Sequence, residues 1–184
     1  LDDEQLWKIV TPQSVSRSLG IATRYKLTNK PSPDPDDAGI SNYGNYPWII
    51  DPINNPWKLK SPVTGRLFPT NDFEQFYESG IDEYGMFDYQ LALQNGAQYL
   101  VNTEDPESDY GVDDGWGWID ENNDVWTFIA YYNHWGIWYN GFIMEALDSL
   151  RDAYLYTGDA EYAYKGLILL DRVADVYPDL DVTT

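Results

Sequence analysis

Cysteine is absent from the 184 residues, which excludes disulfides, thiol nucleophiles and zinc–thiolate sites. Histidine occurs once, at His134, so imidazole chemistry has a single address. Basic side chains are scarce: 11 Lys and Arg against 31 Asp and Glu leave a net charge of −20. Sequence-independent nucleic-acid binding needs a basic face, and an anionic membrane surface repels such a chain. Neither is expected as a partner. The same charge is awkward for a polyanionic substrate, which only local basic groups in a cleft would offset. No apolar run approaches membrane-spanning length. No signal peptide is visible and the first residue is Leu, which fits a mature product or a fragment.

Aromatic residues are abundant. The chain is 43% hydrophobic, hence globular, and long enough for one domain or a piece of a larger one. Its 8 Trp and 16 Tyr exceed what a core of this size needs, and such rings suit surfaces with one apolar and one wet side.

Along the chain, 1–70 reads as mostly irregular and 71–184 as mostly helical. A short helix is expected around Leu6, Trp7, Ile9 and Val10. The Pro- and Asp-rich stretch 30–39 is a loop, either solvated or able to hold Ca²⁺. Residues 43–70 read as extended, aromatic-rich chain. Thr70 is placed to cap a helix carrying Phe73, Phe76 and Tyr77 on one face, stopped by Gly80; Asp72 is the other candidate cap. A second helix is expected over 88–100, with a partly polar stripe of Leu91, Gln94, Asn95 and Gln98. A hairpin follows over 116–129, and the alternation of Asp120, Asn122 and Asp124 lacks the glycine and glutamate of a calcium loop. The last third predicts a long helix from near His134 to Tyr156 and a second over 160–177, joined antiparallel through Gly158 and Asp159. Ala163, Leu167, Leu170, Ala174 and Tyr177 form the apolar stripe of the second.

The ten residues 131–140 carry an aromatic ring, a carboxamide or an imidazole at every position except Gly136 and Ile137. Histidine exchanges a proton near neutrality, the adjacent Asn133 can hold an anion, and flat aromatic faces suit sugar rings. The residues alone leave two readings open: a carbohydrate site with base chemistry, or a helix start with its aromatics turned into a core.

Four segments together resemble the heparinase II/III-like polysaccharide lyases: LWKIVTPQSVSRS at 6–18; PWKLKSPVTGRLFPTNDF at 56–73, continuing to FYESG at 76–80; YYNHW at 131–135; and YLYTGD at 154–159 with LLDRVADVYP at 169–178. The resemblance spans nearly the whole chain, and departs where Ser61 and Thr64 stand at positions that are cysteine in many relatives. It implies a mainly α fold, the N-terminal part of an incomplete (α/α) toroid, with the remainder of the same polypeptide and the family's β-sheet domains lying outside this chain. It further implies a secreted or periplasmic enzyme that cleaves uronic-acid polysaccharides by β-elimination, with neither metal nor organic cofactor. Asn133 would neutralise the uronate carboxylate, and His134 would act as base or as its hydrogen-bonding partner. The catalytic tyrosine is expected beyond Thr184. Tyr132, Trp135, Trp138 and Trp116 (and Trp118 beside it) are candidate sugar platforms, with Tyr139 nearby. Asn71 would border the cleft. Lys60, with Lys58 and Arg66, forms the densest basic patch available to uronate or sulfate groups.

Two rivals stay open. An (α/α)-toroid glycoside hydrolase would use Asp113 and Asp114, beside Trp116, as acid and base. A non-catalytic carbohydrate-binding fragment would use the aromatics alone.

Overall fold

The computed structural model describes residues 1–11, 34, 36, 48–121, 123–139 and 141–179. Helices carry most of its regular structure, beside two small antiparallel sheets. Helix α1 (Asp3–Ile9) begins in a capping box between Asp2 and Gln5 and buries Leu6. Strands β1 (Ile49–Ile50), β2 (Leu59–Lys60) and β3 (Leu67–Phe68) then form a sheet in chain order, with Ile50 opposite Leu59 and Leu59 opposite Phe68. Strands of two residues show no period of their own, so the sequence predicts only extended chain here.

Helix α2 (Phe73–Ser79) buries Phe73, Phe76 and Tyr77 and ends at Gly80. Its cap is Asp72, whose carboxylate accepts the Gln75 N–H, rather than Thr70. Thr70 is spent on a tertiary contact, its hydroxyl donating to the Tyr110 carbonyl at 2.6 Å. Helix α3 (Tyr89–Gly96), capped by Asp88, packs on α2 and continues as a 3₁₀ turn to Tyr99. It buries Ala92 and Gly96, and the stripe of Gln94, Asn95 and Gln98 is exposed.

Strands β4 (Trp118–Ile119) and β5 (Val125–Trp126) form the expected hairpin, with Trp118 opposite Trp126. Asp120 closes its turn by accepting the Asp124 N–H and Trp126 Nε1; Asn122 lies outside the described residues. Phe128 and Ile129 leave the hairpin and start helix α4 (Phe128–Tyr131), which runs directly into a π-helical turn over Tyr132–Trp138.

The single long helix expected from His134 is therefore broken. Tyr139 is extended, and helix α5 (Phe142–Thr157) starts afresh from Gly141. Gly158, at φ 71°, closes α5 in the left-handed conformation that favours glycine, and Asp159 caps helix α6 (Ala160–Val176). The hairpin is antiparallel, as its three-residue connection requires.

The stripe read on α6 faces outward: Leu167 is 63% exposed, and Leu170 and Tyr177 are exposed too. Leu169, Arg172 and Val176 are buried instead, on the side where α6 meets α1. Arg172 stacks over Trp7 at 3.8 Å and donates to the Gly85 carbonyl. The hydrophobic core is one cluster that joins the first sheet to the helices. Phe68 of β3 stacks on Phe128 of α4 at 5.1 Å, and Trp57 lies 4.6 Å from Tyr77 and 5.4 Å from Tyr132.

Candidate functional site

The π-helical turn presents Asn133 and His134. Its backbone carries the i→i−5 bond of that geometry, the Tyr139 N–H donating to the His134 carbonyl at 2.6 Å. Such turns insert one extra residue into a helix and recur at functional sites. Gly136 permits close packing here, since a Cβ would stand 2.7 Å from Ile50 Cγ2. Strand β1 thereby buttresses the turn from one side.

Asn133 is fully buried. Its Oδ1 accepts from the hydroxyl of Thr11, just after α1, and the Thr11 carbonyl accepts Trp138 Nε1 at 3.2 Å. Its Nδ2 is buried and has no hydrogen-bond partner among the described residues. A buried amide donor without a partner costs about 1–3 kcal/mol and calls for an explanation.

His134 is half-buried. Tyr139 stacks on its face at 5.3 Å and 8° between planes, and Trp135 meets it edge-on at 4.7 Å. Its Nδ1 is buried without a partner among the described residues, as is Trp135 Nε1. Burial alone holds the imidazole below its ordinary pKa, which leaves it neutral and able to accept a proton near pH 7. Three consecutive residues thus hold three of the six unpartnered buried polar side-chain atoms among the described residues; the others are Trp118 Nε1 and two nitrogens of Arg172.

The remaining candidates are distributed around this turn rather than gathered on it. Tyr132, two positions before His134, is buried. It packs on Trp57 and lines a cavity of about 360 Å³ with Trp7, Tyr77 and Thr11. The described lining of that cavity includes neither Asn133 nor His134. Trp138 is tied to Thr11, and Trp135 is flanked edge-on by His134 and Tyr139. Trp116 is 45% exposed and Tyr139 54%; Trp116 meets Tyr89 edge to face. Trp118 packs edge-on against Tyr110.

Asn71 does not border an open cleft. It is buried, and its amide clasps the backbone of Asp113, accepting the N–H at 2.9 Å and donating to the carbonyl at 3.1 Å. The basic patch is divided as well. Lys58 turns inward, its Nζ donating to the carbonyls of Pro69 and Asn71 at 2.6 Å each, and burial pulls it down to about 8. Arg66 pairs with Asp34 and Asp36, so that Asp34 serves an ion pair; the rest of the loop 30–39 lies outside the described residues. Lys60 remains exposed on β2.

Asp113 is wholly buried, and its carboxylate accepts three backbone N–H groups, from Gly115, Gly117 and Ile129. Asp114 accepts from the Tyr89 hydroxyl and the Trp116 N–H. The two carboxylates brace the turn before the hairpin, which is not the open facing pair a glycosidase needs. Thr11 carries no sequence signal beyond its place within segment 6–18, because the contact it makes spans 122 positions.

No family model matches the chain, and neither does a curated protein or a solved structure.

Proposed function

We propose that the chain belongs to a polysaccharide lyase that cleaves uronic-acid polysaccharides by β-elimination. One observation carries the reading: Asn133 and His134 are adjacent in a π-helical turn, one with an unpartnered amide donor and the other a half-buried neutral imidazole. β-Elimination removes the proton on C5, next to the uronate carboxylate. Negative charge then spreads into that carboxylate, so a donor placed on its oxygen lowers the barrier. The Nδ2 group of Asn133 is such a donor. The neutral imidazole of His134 takes the proton, or hydrogen-bonds the group that does. Because Asn133 is buried, substrate entry must uncover its Nδ2 side.

The acid that protonates the leaving glycosidic oxygen is assigned to another part of the polypeptide, within an incomplete (α/α) toroid of which this chain is the early part. A periplasmic or secreted location belongs to the same reading. Among the described residues no helix is long and apolar enough to cross a membrane. The hydrolase alternative is disfavoured by the engagement of Asp113 with three backbone donors.

The test is absorbance in the unsaturated-uronate band, with the natural full-length polypeptide on a panel of uronic-acid polysaccharides. His134→Ala and Asn133→Ala are run beside it, with circular dichroism to check folding. A signal abolished by both changes is expected. A signal that survives both moves the chemistry elsewhere. Reducing ends released without that signal identify a hydrolase.

A further inference from the structure

Thr11 sits at the end of α1 and holds both ends of the π-helical turn. Its hydroxyl meets Asn133 and its carbonyl meets Trp138. The residue is almost wholly buried, and its contact with Asn133 is buried with it. In the structure the Thr11 hydroxyl donates to Asn133 Oδ1, and this arrangement leaves the other end of the amide over. A carboxamide has an acceptor on one side and two donors on the other. With Oδ1 taken by the Thr11 hydroxyl, the unpartnered end is Nδ2. The reversed amide, with Nδ2 donating to the Thr11 hydroxyl oxygen, would leave Oδ1 unpartnered instead, and its lone pairs repel an anion. We propose that Thr11 is a positioning residue that orients the Asn133 amide so that its N–H donors are offered to a carboxylate oxygen of the ligand. The carboxylate part of this statement rests on the lyase reading; the orientation of the amide stands apart from it.

The experiment compares Thr11→Val, which keeps the shape and loses the hydroxyl, with Thr11→Ser, which keeps the hydroxyl. The Asn133 side-chain amide is followed by ¹⁵N-resolved NMR and assigned by its loss in Asn133→Ala; KM and kcat are measured on the natural full-length polypeptide. In wild type the Nδ2 protons are expected to show only weak nuclear Overhauser contact with the Thr11 methyl, because Oδ1 faces that residue. Thr11→Val is expected to shift the amide signal and lower kcat/KM about tenfold, the worth of one hydrogen bond, mainly through kcat, because the donor acts on charge that builds in the transition state. Thr11→Ser restores both to within about twofold of wild type. An unchanged amide signal and kcat/KM in Thr11→Val overturn the proposal. If that variant fails to fold, wild type decides: a strong contact between the Nδ2 protons and the Thr11 methyl places the amide the other way and overturns it. If wild type yields no unsaturated product, the lyase reading falls, while the NMR result still decides the orientation.

Discussion

Replacing Asp113 with asparagine sets two opposing effects on one side chain against each other. The carboxylate is wholly buried, which favours the neutral acid, while it accepts N–H groups from Gly115 at 2.7 Å, Gly117 at 2.8 Å and Ile129 at 3.0 Å, which favours the anion. Burial wins, pushing Asp113 from 3.8 up to about 6. A rise of that size corresponds to about 3 kcal/mol. The folded state binds this proton more tightly than the unfolded state does. The stabilisation is therefore full below pH 3.8 and is lost as the pH rises through about 6. Asparagine does not titrate. Its NH₂ must face at least one of the three backbone donors, a fixed loss of about 1–3 kcal/mol. Relative to wild type, Asp113→Asn is expected to gain about 2 kcal/mol between pH 4 and pH 7 on top of that loss. The assay is urea unfolding of both proteins across this range, where other titrations cancel in the difference. A difference that moves the other way, with wild type gaining as the pH rises, means that the three donors outweigh burial and refutes the reasoning.

Two further predictions concern the turn and the last helix. The only imidazole gives one assignable proton NMR signal, and its titration midpoint is expected below 6.5. Stability from the neutral ring is then full above pH 6.5 and lost as the pH falls through the depressed midpoint; a midpoint at or above 6.5 contradicts the burial. On α6, Leu167→Glu is expected to stay within about 0.5 kcal/mol of wild type, whereas Leu169→Ala loses about 2–5 kcal/mol in urea unfolding. Equal losses at the two positions would show that the outward stripe is packed.

The elements most legible in the sequence were those whose signals are local. Gly158 and Asp159 mark the α5–α6 connection because a left-handed residue and an N-cap are decided within a few positions. The hairpin 118–126 and the buried face of Phe73, Phe76 and Tyr77 are local in the same sense. The misreadings share a different cause. Thr70 is as good a cap as Asp72 until the Tyr110 carbonyl claims its hydroxyl. Helix α6 carries apolar residues on two sides, and periodicity cannot say which side α1 will cover. Lys58 reads as a surface cation, yet two carbonyls draw it inward. The π-helical turn has no sequence period of its own, so the segment read as one helix.

At the candidate site the two central residues stand out in the sequence, and their surroundings do not. One histidine beside an asparagine in an aromatic run marks Asn133 and His134 as candidates, because the sequence holds no other imidazole. The absence of cysteine and the excess of 20 negative charges likewise bound the chemistry without coordinates. Which candidates stand together was decided only by the tertiary structure. Tyr132 packs on Trp57 while His134 stacks on Tyr139, and Asn71 is consumed by the backbone of Asp113. Thr11 meets Asn133 across 122 positions through a buried hydroxyl. Composition and local backbone preference are properties of short windows of chain. The pairing of buried donors and acceptors is settled only when distant segments exclude water together.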